Sequence, residues 1–90
     1  MSGSDLGMRR RRALWRATHR GSKEMDFLLG RFAEQALDGM NAADIAVFER
    51  LIDTPDPVIE SCVLEGYSLS EPDLDELIAR LRRFHGLTTG

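Results

Sequence analysis

The sequence has little of what most small-molecule chemistry requires. Its 90 residues include one cysteine, Cys62, and two histidines, His19 and His85, far apart along the chain. One thiol cannot close an internal disulfide, and metal sites or nucleophilic centres need several such residues at defined spacing. There is no glycine-rich phosphate loop, and no apolar run approaches the roughly 20 residues of a membrane-spanning helix. A secretory leader needs an apolar stretch of about 7 to 15 residues after its basic start. Here Arg9 to Arg12 are followed instead by Ala13, Leu14, Trp15 and Arg16. No segment alternates apolar and polar residues over four positions or more, so no strand is expected. A two-domain enzyme with its own cofactor fold is excluded by size, since a typical domain alone takes about 100 to 150 residues. The chain is expected to be non-enzymatic and without metal, without membrane insertion, and located in a bacterial cytoplasm.

What is present is a helical pattern. Hydrophobic residues make up 42% and charged residues 30%, the composition of a chain that folds. Residues 1–7 are small, polar and glycine-rich and are expected to be a disordered tail, leaving 8–90 as one domain with a thin core. A first helix is predicted over Met8 to His19, with Leu14, Trp15 and Thr18 on one face. The second, Ser22 to Asp38, carries the clearest stripe: Met25, Leu28, Leu29, Phe32, Ala33, Ala36 and Leu37. Gly39 is expected to end it in the left-handed conformation, and Asn41 with Asp44 to cap a third helix lined by Ile45, Phe48, Leu51 and Ile52. After the break at Asp53-Thr54-Pro55-Asp56-Pro57, Asp56 should cap a short fourth helix that buries Ile59, Cys62 and Val63 and stops at Gly66. Ser70 should cap a fifth, with Leu74, Leu77, Ile78, Leu81 and Phe84 inside. The expected fold is all-α, a compact five-helix bundle with short connections and a radius of gyration near ~12 Å.

Charge is divided along the chain. Through Lys23 there are seven basic residues against Asp5 alone, a balance of +6, and from Glu24 onward five basic against fourteen acidic, a balance of −9. Such a dipole orients a protein partner on approach. The Arg9 to Arg12 run also admits a second reading, a small regulator or antitoxin-like protein whose basic helix engages a toxin, an anionic membrane surface or a nucleic acid. The acidic body and a pI near 5.3 weigh against nucleic acid. Cys62 is expected as a small buried hydrophobe and His85 as a helix end.

The informative segment is His19-Arg20-Gly21-Ser22-Lys23-Glu24-Met25-Asp26, in which Arg20, Gly21 and Glu24 form an R-G-x-x-E pattern at the joint of the first two helices. Four residues apart, Arg20 and Glu24 can pair along one side, and Gly21 can supply the positive φ of a corner. The pattern is followed by Asp26-Phe27-Leu28-Leu29, a third helix ending Phe48-Glu49-Arg50-Leu51-Ile52, and then the Pro/Asp break. Over about Leu14 to Phe84 this order resembles the succinate dehydrogenase assembly factor 2 family. Where many members carry a tryptophan in the fourth helix and then a polar-Gly-Lys-Pro-like turn, this chain has Cys62 and Leu64-Glu65-Gly66-Tyr67-Ser68.

The resemblance implies an assembly chaperone that binds the flavoprotein subunit of succinate dehydrogenase, and of fumarate reductase in some cases, and promotes its covalent FAD attachment. On that basis FAD belongs to the partner and is not bound stably by this chain, which acts as a monomer, in the mitochondrial matrix if the source is eukaryotic. The implied partner-binding residues are His19, Arg20, Gly21, Glu24 and Asp26. Gly21 would keep the corner bare for a partner backbone, Arg20 would offer its planar donor fork to the partner, and Glu24 would orient that fork or receive a cation.

Overall fold

The computed structural model describes residues 2–87, with side chains from residue 5. Five helices follow one another: α1 (Ser2–Thr18), α2 (23–39), α3 (Ala42–Ile52), α4 (Asp56–Glu65) and α5 (Pro72–Phe84), with no strand among the described residues. The radius of gyration is 12.6 Å. α1 begins at Ser2, so the stretch expected as a tail is helical from its second residue; Met1 lies outside the described residues. Asp5 in the first turn complements the helix dipole, and Leu6 packs against the core.

The inward side of α1 is Ala13 and Ala17, not the face expected around Trp15, which is 62% exposed. Small residues are needed there because α1 crosses α2 closely: a Cβ on Gly30 would stand 3.0 Å from the Thr18 methyl and 3.5 Å from the Ala17 carbonyl. Helix α2 starts on Ser22, whose hydroxyl accepts from the Met25 amide. A π turn over Asp26–Gly30 inserts one residue's worth of rotation, after which α-helix resumes at Arg31–Ala36. The predicted stripe is buried, except that Ala36 is half-buried.

The end of α2 departs from expectation. Leu37–Gly39 tightens into a 3-10 turn, and Gly39 has no positive φ. A left-handed cap is unnecessary because Arg10, reaching over from α1, donates to the carbonyls of Leu37 (3.1 Å), which also accepts the Met40 amide, and Met40 (2.7 Å). Helix α3 has the expected reciprocal cap of Asn41 and Asp44, and α4 ends at Gly66 with φ 79°. Two expected caps are displaced. Pro55, not Asp56, precedes α4, and Asp56 is its first residue. Glu71, not Ser70, precedes α5, because Asp75 gathers the donors of that turn, accepting from Ser68 Oγ (2.6 Å) and the Leu69 amide (2.7 Å). Ile45, Phe48, Leu51, Ile59, Val63 and Leu81 form the centre of the core, with Cys62 among them as expected. Phe84, expected inside, is 42% exposed.

Candidate functional site

The joint between α1 and α2 is a four-residue corner, His19 to Ser22, and its shape follows from three devices. Gly21 adopts φ +103°, a conformation that L side chains rarely take, which lets the chain reverse between the helices. Asp26, on the first turns of α2, reaches back and accepts from the Arg20 amide at 2.7 Å. Arg20 then turns its side chain inward. Its Nε donates to Asp56 Oδ1 at 2.9 Å, Nη1 to the Ile52 carbonyl at 2.6 Å and Nη2 to the Thr54 carbonyl at 3.1 Å, with a further bond to Asp56. Its side chain is only 10% exposed.

This corrects the reading of Arg20 as a donor to a partner. Four hydrogen bonds tie the guanidinium fork to the Pro/Asp break between α3 and α4, where the α3 end leaves carbonyls without helical partners. Nor does Arg20 pair with Glu24. Asp26 is likewise engaged within the corner. The structure thus divides the five candidates: Arg20 and Asp26 hold the corner, whereas His19, Gly21 and Glu24 are exposed on it.

The exposed part has a definite geometry. Nothing lies within 4 Å of the place where a Cβ on Gly21 would stand. His19 is stacked on Trp15, ring centroids 4.3 Å apart and planes 12° from parallel, and its Nδ1 is 2.8 Å from the Trp15 carbonyl. Shallow, open grooves flank His19, one lined by Trp15, Arg20 and Asp56, the other by Gly21, Lys23 and Asp26. Trp15 was misplaced by pattern alone; the signal that could have moved it outward was the alanine pair at 13 and 17. On the other side of the corner Glu24 approaches Glu60 of α4. A hydrogen bond between the two carboxyls, then the Glu24 charge itself, raise the Glu60 carboxyl above the usual range, with smaller contributions from burial and from Asp56 and Glu65.

The Arg9 to Arg12 run does not form a free basic face. Arg9 makes a two-pronged bond to Glu49, at 3.2 and 2.9 Å, and Arg10 caps α2. Half of the run is thereby fixed to the body, which leaves Arg11 and Arg12 as its exposed part, and nothing else among the described residues supports an antitoxin-like or nucleic-acid reading. Cys62 is an inert thiol, raised by burial and then by the charge of Asp75. Among the described residues no group of three or more His, Cys, Asp or Glu could hold a metal ion, and no helix is long and apolar enough to cross a membrane.

A family model described as flavinator of succinate dehydrogenase matches residues 11–85. The FAD assembly factor SdhE of Acetobacter pasteurianus is 34% identical over 77 residues, covering 86% of this chain and 71% of that protein. The mitochondrial succinate dehydrogenase assembly factor 2 of Debaryomyces hansenii is 33% identical over 69 residues, and the match spans 77% of this chain and 49% of that protein. The FAD assembly factor SdhE of Idiomarina loihiensis is 35% identical over 69 residues, covering 77% and 76%. No solved structure matches.

Proposed function

The chain belongs to the family of flavinators of succinate dehydrogenase, and from that premise we propose that its α1–α2 corner is the surface that engages the flavoprotein client. As an assembly factor it promotes flavinylation. The observation that carries the site is the empty space around Gly21 at φ +103°. A bare, exposed glycine held rigidly between two helices admits a partner main chain closer than any other residue would. Glu24 receives a cation of the client, and the Trp15–His19 stack supplies an apolar surface on the other flank. Arg20 and Asp26 act as positioning residues, since they shape the corner without reaching the client.

The factor supplies no reacting group. The bond-forming chemistry rests with the client and its FAD, and the factor selects the client conformer in which the two meet. Differential affinity is enough for that: about 1.4 kcal/mol shifts a two-state population tenfold. FAD stays on the client; the grooves beside His19, open to solvent unlike the enclosed pockets that bury most of a cofactor, are in keeping with this reading. The same corner serves a fumarate reductase flavoprotein where one is present, and the factor acts as a monomer in the bacterial cytoplasm or, in a eukaryote, the mitochondrial matrix.

Capture of the client with tagged factor, followed by in-gel flavin fluorescence of the captured chain, tests this reading. The wild type should retain a flavoprotein subunit carrying covalent flavin, and Gly21→Arg should lose it. Retention of equal client by Gly21→Arg would refute the corner as the contact.

A further inference from the structure

Away from the corner, α2 and the end of α5 meet in an unbroken series of aromatic and cationic side chains. The Arg31 guanidinium lies 5.8 Å from the Phe27 ring centroid, and Phe27 lies 5.2 Å from the His85 ring. His85 meets Phe84 edge-on at 5.0 Å, Phe84 meets Phe32 at 5.6 Å, and Arg80 sits 5.6 Å over Phe32. His85 is fixed by a 2.8 Å contact from Nε2 to the Leu28 carbonyl, within the π turn. Two of these rings stay open to solvent, Phe27 at 53% and Phe84 at 42%.

The placement of charge gives the patch its meaning. From Glu24 onward the chain has five basic residues. Arg50 pairs with Glu71 and Asp73, and Arg82 donates to the carbonyls of Val63 and Leu87. The other three, Arg31, Arg80 and Arg83, are exposed, and none is in an ion pair among the described residues. Arg83 follows Arg80 by three positions and so shares its side of α5. The unpaired cations of the acidic body thus gather beside its open aromatic rings.

We propose that this patch docks a short acidic segment of a protein partner, with an apolar or aromatic side chain of that segment on Phe27 and Phe84 and its carboxylates on Arg31, Arg80 and Arg83. Guanidinium forks suit carboxylates, and cations beside rings are the usual composition of a protein-binding centre. A nucleic acid fits worse: three cations release few counterions, and a strand longer than the patch runs onto the surrounding acidic surface.

Amide spectra of the isotope-labelled full chain, titrated with a synthetic peptide of Asp and Glu around one central Trp, test the proposal without any flavoprotein, so its outcome is independent of the flavinylation reading. Shifts should concentrate on Phe27, Arg31, Phe84 and His85, saturate, and weaken as salt rises. Binding should fall about fivefold or more in the combined Arg31→Gln, Arg80→Gln, Arg83→Gln variant and in Phe27→Ala, with helicity unchanged. The same peptide with Lys in place of its acids should leave the spectrum unmoved. Absence of shifts at the patch, undiminished binding by both variants, or equal response to a single-stranded oligonucleotide would overturn it.

Discussion

Arg20 donates to Asp56 and to the carbonyls of Ile52, the last residue of α3, and Thr54 just beyond it, while Glu24, four residues on, stands in solvent beside another carboxyl. Substitution therefore separates the two halves of the motif. Arg20→Ala strands the Ile52 and Thr54 carbonyls and a partly buried carboxylate, a loss of about 2 to 4 kcal/mol, and Arg20→Lys should recover only part of it because an ammonium lacks the fork. Chemical denaturation measures both. Glu24→Gln has the opposite sign. Glu60 is held above its ordinary range first by a hydrogen bond with Glu24 and then by the Glu24 charge, so the protonated Glu60 is bonded to Glu24 in acid, and the two carboxylates repel above the raised value. The melting temperature of Glu24→Gln relative to the wild type should therefore rise from acid to neutral pH, and at neutral pH it should not fall below the wild type. Gly21 is a less clean probe, since any side chain there at φ +103° adds about 1 to 2 kcal/mol of backbone strain.

At the level of elements, the α1–α2 crossing is set by Gly30 against Thr18. The Thr18 hydroxyl is held by the Leu14 carbonyl at 2.9 Å, which fixes its methyl toward Gly30. Gly30→Ala should therefore destabilise by about 1 to 2 kcal/mol despite the better helix propensity of alanine, and Thr18→Ser, which removes only the methyl, should restore most of the loss. The start of α5 responds to pH instead. Hydrogen bonds from Ser68 and then Leu69 hold the Asp75 carboxyl below the usual range. Its stabilisation is full at neutral pH and disappears as pH falls through the lowered value. The melting gap between wild type and Asp75→Asn should accordingly be constant near neutrality and close in acid. These elements were legible to different degrees. The α2 stripe and the Asn41 cap follow from local spacing, and both appear as expected. The caps at Asp56 and Ser70 do not, because each side chain's role depends on a residue distant in sequence or on a competing acceptor, Arg20 for the first and Asp75 for the second.

Across the whole molecule, the basic head does not stand apart from the acidic body. Arg9, Arg16 and Arg20 each pair with an acid of the body, and Arg10 caps one of its helices. Charge asymmetry read from the sequence was therefore partly an internal adhesive. Composition and periodicity revealed the bundle, and the R-G-x-x-E pattern located the corner, but which of its residues face outward depended on how α3 and α4 close beneath it. Exposure of Trp15 likewise depended on the tightness of a helix crossing. The account's central claim is that Gly21 and Glu24 act on the client while Arg20 holds their frame. Its most direct test is the dose response of covalent flavin formation on purified flavoprotein subunit with wild-type factor and with Glu24→Gln, at a temperature where both are folded. The account predicts a curve displaced toward higher factor concentration by about tenfold or more, as loss of a desolvated charge contact requires, with no drop in melting temperature. Superimposed curves would contradict it.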